Sequence, residues 1–194
     1  MIGPLKQRQL LFTRPLARVG HSAACYAIRW FSSDDRKRKA VFVAGTMQHH
    51  GKTTITLGMV HALIQQQRRV AYQKPVGQQT VPVDVDGVTL QIDRDVDVFK
   101  HLWPDLVGSY ADCSPVAFPP AFTRYVLDGK ETPTALRERC VSSFERLLHA
   151  SEYVVVEGTG HIGVGSIVGL NNAQVLLQGR VPARPYGMRA VLSR

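Results

Sequence analysis

The protein has 194 residues, of which 44% are hydrophobic and 20% are charged, and its formal net charge is +9. This length suits one globular domain, and the apolar fraction excludes a wholly disordered or collagen-like chain. The sequence has no run of about 18 apolar residues, which excludes a membrane-spanning helix, and we expect no membrane partner. The three cysteines are too few and too scattered to predict a disulfide framework or a zinc site.

The positive charge is concentrated at the two ends of the chain. Residues 1–40 carry nine basic and two acidic side chains, and residues 180–194 carry four basic side chains and no acidic one. Residues 41–179 carry eleven basic and thirteen acidic side chains, so the middle of the chain is slightly acidic. Because a nucleic-acid-binding domain normally carries its basic residues on the folded body, we expect no nucleic-acid partner.

The amino-terminal segment, residues 1–33, contains no Asp or Glu and places arginines between short apolar pieces. This composition is typical of a mitochondrial transit peptide, so we expect import into the mitochondrial matrix. The stretch from Arg29 to Ser33 resembles a mitochondrial processing site, with cleavage after Phe31. The alternative is a basic tail that has no targeting role.

The first predicted elements of the body surround a glycine-rich loop. Residues 40–44 form a short, fully apolar run that predicts a buried strand. Residues 52–67 carry apolar side chains at helical spacing and predict an amphipathic helix, which Arg68 and Arg69 close. Residues 70–73 predict a second short strand.

Later elements extend this alternation of strands and helices. In chain order they are a hairpin or loop over 81–93 with a turn at Asp86-Gly87, a short helix over 95–103, a helix capped by Thr132 with Pro133 in its first turn that runs to about Ala150, and a strand over 153–156. Short apolar strands that alternate with helices predict an α/β fold with a parallel sheet flanked by helices. Only three such strands are evident, so we expect this sheet to be incomplete.

The segment 45–54, GTMQHHGKTT, follows the first strand and opens the first helix, as a phosphate-binding loop does. Glycines allow the backbone to wrap a polyphosphate, so that successive N–H groups and the helix amino terminus point at it. Lys52 is expected to neutralise phosphate charge, and the hydroxyl of Thr53 is expected to hold Mg²⁺. The alternative is an ordinary left-handed turn before a helix.

This loop has five residues between its two glycines, and it resembles the loop of the dethiobiotin synthetase family, whose pattern is G-T-D-T-x-V-G-K-T. Residues 74–76 (KPV) follow the second strand like the K-P-V of that family, and residues 157–160 (EGTG) resemble its E-G-A-G. An acidic stretch over 93–97 lies where the family has a Mg²⁺-ligating Asp. The resemblance covers residues 40–178 and extends to cobyrinic acid diamide synthases and to the P-loop domain of some phosphate acetyltransferases.

The resemblance implies a P-loop NTPase domain over 40–178 that uses ATP and Mg²⁺ and acts on a small molecule. It implies that Lys52 and Lys74 are catalytic, and that Mg²⁺ is held by Thr53, Asp95 and Glu157. Asp93 and Asp97 remain rivals of Asp95, and His161 is a further candidate beside the phosphates. The implied nucleotide-binding residues are Gly45, Thr46, His50, Gly51, Lys52, Thr53, Thr54, Gly158 and Gly160.

The substrate half of the resemblance is weaker. Met47-Gln48 replaces Asp-Thr within the loop, and Gly77-Gln78 replaces a Ser-Gly turn. We therefore expect an ATP-dependent ligase or phosphoryl-transfer enzyme for a small carboxylate or carbamate, without assigning dethiobiotin synthesis. Alternatives are a non-catalytic nucleotide switch and an inactive truncated product, since residues 179–194 form an irregular basic tail. Assembly as a homodimer is left open.

Overall fold

The computed structural model describes residues 26–32, 39–45, 49, 51–119, 122–160, 165–172 and 174–175. Most of the predicted transit peptide and the whole of the predicted basic tail lie outside the described residues. Within the described part of the chain, no helix combines the length and the apolar character needed to cross a membrane.

A four-stranded sheet forms the centre of the structure, with the strand order β1-β2-β8-β3. Its strands are β1 (Tyr26–Ser32), β2 (Lys39–Gly45), β3 (Val70–Gln73) and β8 (Tyr153–Glu157). β2, β8 and β3 run parallel, and their apolar side chains are almost completely buried. The predicted parallel sheet is therefore confirmed for three strands.

β1 was not among the predicted strands and differs from the other three in direction. It pairs antiparallel with β2 along its whole length, from Tyr26 opposite Gly45 to Ser32 opposite Lys39. The sheet is therefore mixed, with one antiparallel strand at its edge. β1 lies inside the segment predicted as a transit peptide. That prediction rests on the absence of acidic residues over 1–33, and it did not identify the strand.

Two long helices pack against this sheet, α1 (Lys52–Gln65) and α5 (Pro133–Ala150). α1 lies against β2, β3 and β8, and α5 lies against β3 and β8. The predicted cap of α5 is confirmed, since the Thr132 hydroxyl accepts the backbone N–H of Ala135 at 3.2 Å. The predicted end of α1 is wrong: the helix ends two residues early, and the side chain of Arg68 and the backbone N–H of Arg69 bind Glu152 instead.

The remaining elements are shorter than these two helices. They are β4 (Val76–Gly77), β5 (Thr80–Val85), β6 (Val88–Asp93), α2 (Arg94–Leu102), α3 (Tyr110–Cys113), β7 (Val116–Ala117), α4 (Phe122–Leu127) and a 3-10 turn at Ser166–Val168. β5 and β6 form the hairpin that was one of two sequence alternatives. Asp86 and Gly87 have φ values of 52° and 79°, which is the left-handed pair that a two-residue hairpin turn requires.

The parallel direction of β2, β3 and β8 decides where polar side chains gather. The carboxyl ends of parallel strands lie at one edge of a sheet, and ligands bind there in open α/β folds. Gly45, Gln73 and Glu157 end the three strands at this edge. The start of α1, the segment after β3 and residues 158–160 after β8 therefore meet in one place.

Candidate functional site

The amino terminus of α1 is built to receive an anion. Gly51 is its N-cap with φ 79°, a left-handed conformation that favours glycine, and no side chain caps the helix among the described residues. The first turn also contains no acidic side chain. The first N–H groups of an α-helix have no partner within the helix, and their partial positive charge attracts phosphate.

Lys52, the first residue of α1, brings three predicted binding residues together. Its side chain is 6% exposed, and its ammonium group donates a hydrogen bond to the carbonyl of Gly160 at 3.4 Å. It runs past Gly45, where a Cβ atom would lie 3.1 Å from the Cδ of Lys52. Burial lowers the pKa of Lys52, while the nearby carboxylate of Glu157 opposes that shift.

Glu157, at the end of β8, and Asp95 bring carboxylate oxygens to the first turn of α1. Glu157 is 1% exposed, and its Oε1 accepts a hydrogen bond from the Thr53 hydroxyl at 2.8 Å. The same hydroxyl lies 3.5 Å from Oδ2 of Asp95. One hydroxyl and two carboxylate oxygens thus converge, which are the hard ligands that Mg²⁺ prefers.

These oxygens suit Mg²⁺ better than they suit a metal ion whose ligands all come from the protein. Among the described residues, no group of three or more His, Cys, Asp or Glu side chains has the geometry to hold a metal ion. Mg²⁺ does not need one, because it is usually bound by one or two carboxylates together with water and substrate phosphates. The convergence of Thr53, Asp95 and Glu157 matches that ligand set.

Lys74, directly after β3, neutralises the carboxylates of the site. Its Nζ lies 3.1 Å from Oδ1 of Asp93 and 3.8 Å from Oε1 of Glu157, and it also contacts Oδ2 of Asp95. Burial alone lowers the pKa of Lys74, but the three carboxylates together raise it above its ordinary value. Lys74 therefore stays protonated, and its cation lies beside the oxygens that would hold Mg²⁺.

The structure separates the three aspartates that the sequence left as rivals. Asp93 is used by the backbone: its Oδ1 caps α2 by accepting the N–H of Asp95 at 3.0 Å, and its Oδ2 accepts N–H groups at 78–79. Oδ1 of Asp97 lies 3.2 Å from Nδ1 of His101, one turn along α2. Of the three, Asp95 is the one whose carboxylate reaches the threonine hydroxyl at the start of α1.

The remaining predicted site residues do not line the cavity together, and some of them cannot be placed. Thr46, His50 and His161 lie outside the described residues. Thr54 is exposed on α1 and is not among the residues that line the cavity described below. Gly158 is buried behind the site, and its N–H donates to the carbonyl of Val43 at 2.8 Å.

A cavity of about 330 Å³ lies over these groups. Its lining includes the start of α1, Lys74 and residues 157–160 at the end of β8 and after it, without Gly158. The lining also includes Gln78, Gln79 and Arg94, whose side chains are exposed. The lining of the cavity thus includes ammonium, carboxylate, amide and guanidinium groups.

Two buried hydroxyl groups belong to the site although the sequence analysis did not identify them. The hydroxyl of Tyr72 donates to Oε2 of Glu157 at 2.9 Å, and the hydroxyl of Thr56 lies 2.7 Å from the same oxygen. Tyr72 was missed because it lies in an apolar strand, where a tyrosine is usually interpreted as a core residue. The one available signal was for Thr56, which follows Lys52 by one helical turn and so shares its face.

Comparisons with known proteins agree with this arrangement. A family model described as an AAA domain matches residues 39–183. The ATP-dependent dethiobiotin synthetases BioD of Bacillus subtilis (strain 168) and of Bacillus subtilis subsp. natto are each 29% identical to this chain over 127 residues, which is 65% of the chain. The chain spans about half the length, 51%, of each of these relatives.

Proposed function

The chain belongs to the AAA domain family of P-loop proteins, and from this premise we propose that it binds ATP with Mg²⁺ and transfers the γ-phosphoryl group to a small acid. The observation that carries this proposal is that the start of α1, for which the described residues provide no side-chain cap, converges with Lys52 and Lys74 on one cavity. The two cations and the N–H groups of a helix amino terminus complement the negative charge of a triphosphate.

Each group at the cavity has a distinct role in this proposal. Lys52 and the N–H groups at the start of α1 bind and orient the phosphates. Lys74 stabilises negative charge that moves onto the transferred group, because its ammonium lies among the carboxylates beside the phosphate position. Thr53, Asp95 and Glu157 hold Mg²⁺, which supplies positive charge to the phosphate oxygens when it is bound.

For the second substrate we propose a small carboxylate or carbamate. Its oxygen attacks the γ-phosphorus, ADP leaves, and the resulting mixed anhydride is then open to attack by an amine. Gln78, Gln79 and Arg94 in the lining of the cavity are suited to an anionic acid, since they offer amide donors and a guanidinium. The relatives are named dethiobiotin synthetases, but the turn after Lys-Pro-Val is Gly77-Gln78 here, so we do not extend their substrate to this chain.

The nucleotide proposal is tested by titrating the protein with Mg²⁺-ATP in a calorimeter. We expect Lys52→Ala to weaken binding roughly tenfold to 100-fold, the effect of losing a hydrogen-bonded charge. Lys130→Ala is the matched control, because Lys130 is exposed and its ammonium lies over the ring of Tyr125. Equal affinity of the wild-type and Lys52→Ala proteins would refute the phosphate site.

For the location of the protein we propose the mitochondrial matrix. The support is the absence of acidic residues over 1–33 together with the arginines in that segment. A fluorescent protein fused to residues 1–40 is expected to enter mitochondria. Diffuse cytosolic fluorescence would contradict this proposal.

A further inference from the structure

The carboxylate of Glu157 uses its two oxygens for different purposes. Oε1 faces the Thr53 hydroxyl at 2.8 Å and Lys74 at 3.8 Å, on the side of the cavity. Oε2 faces the interior, where it receives the hydroxyls of Tyr72 at 2.9 Å and Thr56 at 2.7 Å. A carboxylate that is 1% exposed must have such partners, because an unpaired buried oxygen is costly.

The position of Tyr72 follows from the strand register. Tyr72 in β3 lies opposite Val155 in β8, and Glu157 is two residues further along β8. Residues two apart on a strand point to the same face, so Tyr72 and Glu157 share one face of the sheet. The long side chain of tyrosine then reaches the carboxylate diagonally across two adjacent strands.

The ring of Tyr72 is also fixed from its other side. It stacks on the ring of Phe99 in α2, with centroids 3.7 Å apart and an interplanar angle of 1°. Both rings are completely buried. The packing of the ring therefore fixes the position of the hydroxyl that donates to Glu157.

We propose that Tyr72 is a positioning residue, whose hydroxyl, with that of Thr56, holds Oε2 of Glu157 so that Oε1 is presented to the metal. The inference rests on the proposed function, since Glu157 needs this orientation only if it binds Mg²⁺. Partners that orient a metal ligand in this way commonly change metal affinity 10-fold to 100-fold when they are removed.

The experiment compares ATP affinity in excess Mg²⁺ with ATP affinity in EDTA, and the ratio of the two is the metal-dependent gain. Tyr72→Phe keeps the ring stack and removes only the hydroxyl. We expect the gain to fall roughly tenfold or more in Tyr72→Phe, while the affinity in EDTA stays within about twofold of wild type. Tyr110→Phe is the matched control, because that hydroxyl bonds to Asp97, a carboxylate outside the metal ligand set.

Thr56→Val is the second variant, since it removes the other donor to the same oxygen, and it decides the question if Tyr72→Phe fails to fold. If Tyr72→Phe folds and shows the same metal-dependent gain as the wild type, the proposed role of the two hydroxyls is wrong and the proposed function remains intact. If Tyr72→Phe does not fold, the same result in Thr56→Val leads to the same conclusion. If the wild-type protein itself gains nothing from Mg²⁺, the proposed metal site fails and this role of Tyr72 fails with it.

Discussion

At the scale of single residues, Lys74 is the cation that permits three carboxylates to lie so close together. Asp93 and Glu157 are each 1% exposed, and both lie within 4 Å of its ammonium group. Breaking a buried ion pair by removing one partner is far more costly than the pair is worth, because a charge is left without compensation. The metal-free protein should therefore depend on Lys74 for its stability.

We predict that Lys74→Met lowers the free energy of unfolding by about 3 kcal/mol in EDTA, measured by urea denaturation. Added Mg²⁺ should recover part of this loss, because a bound divalent cation compensates the same carboxylates. Lys130→Met, at an exposed position, serves as the control and should change stability by less than about 0.5 kcal/mol. Indistinguishable urea midpoints for the two variants would contradict the prediction.

Sequence motifs predicted some site residues but not how they are arranged. The geometry brings Lys52, Lys74 and Glu157 together, and each of these belongs to a short motif whose chemistry is evident from the residue types. The choice among Asp93, Asp95 and Asp97 was not predictable, because it depends on which aspartate the backbone uses as a helix cap. That use is set by the hairpin register before α2, which short-range patterns do not specify.

At the scale of elements, the turn between β4 and β5 depends on a close approach of the Gly77 backbone to the side chain of Asp93. A Cβ atom on Gly77 would lie 2.6 Å from Oδ2 of Asp93, which is itself buried and holds the N–H groups at 78–79. The carboxylate has no room to withdraw without giving up those hydrogen bonds. Gly77 is therefore required by the neighbouring aspartate, although its own backbone conformation is an ordinary one.

We predict that Gly77→Ala destabilises the protein by about 1 to 3 kcal/mol, as overpacking in a filled interior does. Gly58→Ala is the matched control, because Gly58 lies inside α1 with no atom within 4 Å of an added Cβ. That control should stabilise the protein by about 0.5 to 1 kcal/mol, since alanine favours the helix interior. Thermal unfolding of both variants measures these changes in stability. If Gly58→Ala destabilises the protein as well, the result would argue against the close contact at Gly77 as the cause.

The elements that sequence patterns predicted well are those with strong local signals. β2, β3, β8, the cap of α5 and the β5–β6 turn each carry a fully apolar run, a capping threonine or an Asp-Gly pair. The end of α1 and the existence of β1 depend on tertiary contacts instead. Arg68 and Arg69 donate hydrogen bonds to Glu152, which is distant in sequence. β1 is defined by its pairing with β2.

At the scale of the whole molecule, stability should fall on the alkaline side. Burial raises the pKa of both Cys113 and Cys140 from 9.0 to about 12. The folded protein keeps these two protons above pH 9, whereas the unfolded chain releases them. The stabilisation is therefore complete below about pH 9 and is lost progressively as the pH rises toward 12.

We predict that urea midpoints decrease between pH 9 and pH 11, with each buried thiol shifting the unfolding constant by up to about tenfold per pH unit. The raised pKa values of Tyr72 and Lys74 act in the same direction. A Cys113→Ala, Cys140→Ala double variant should show a shallower decrease, whatever its stability at pH 8. Parallel pH profiles of the variant and the wild type would show that the thiols do not contribute.

The antiparallel pairing of β1 with β2 also determines how the sheet responds to force. A pull on the chain ahead of Tyr26 acts at the end of the ladder where Tyr26 faces Gly45. In that geometry the force acts on one pair of hydrogen bonds at a time, starting at Tyr26, so the pairs break in sequence and not all at once. A translocation motor that grips the amino terminus would therefore peel β1 away with little resistance. The three parallel strands and the cavity at their carboxyl ends would be pulled only afterwards.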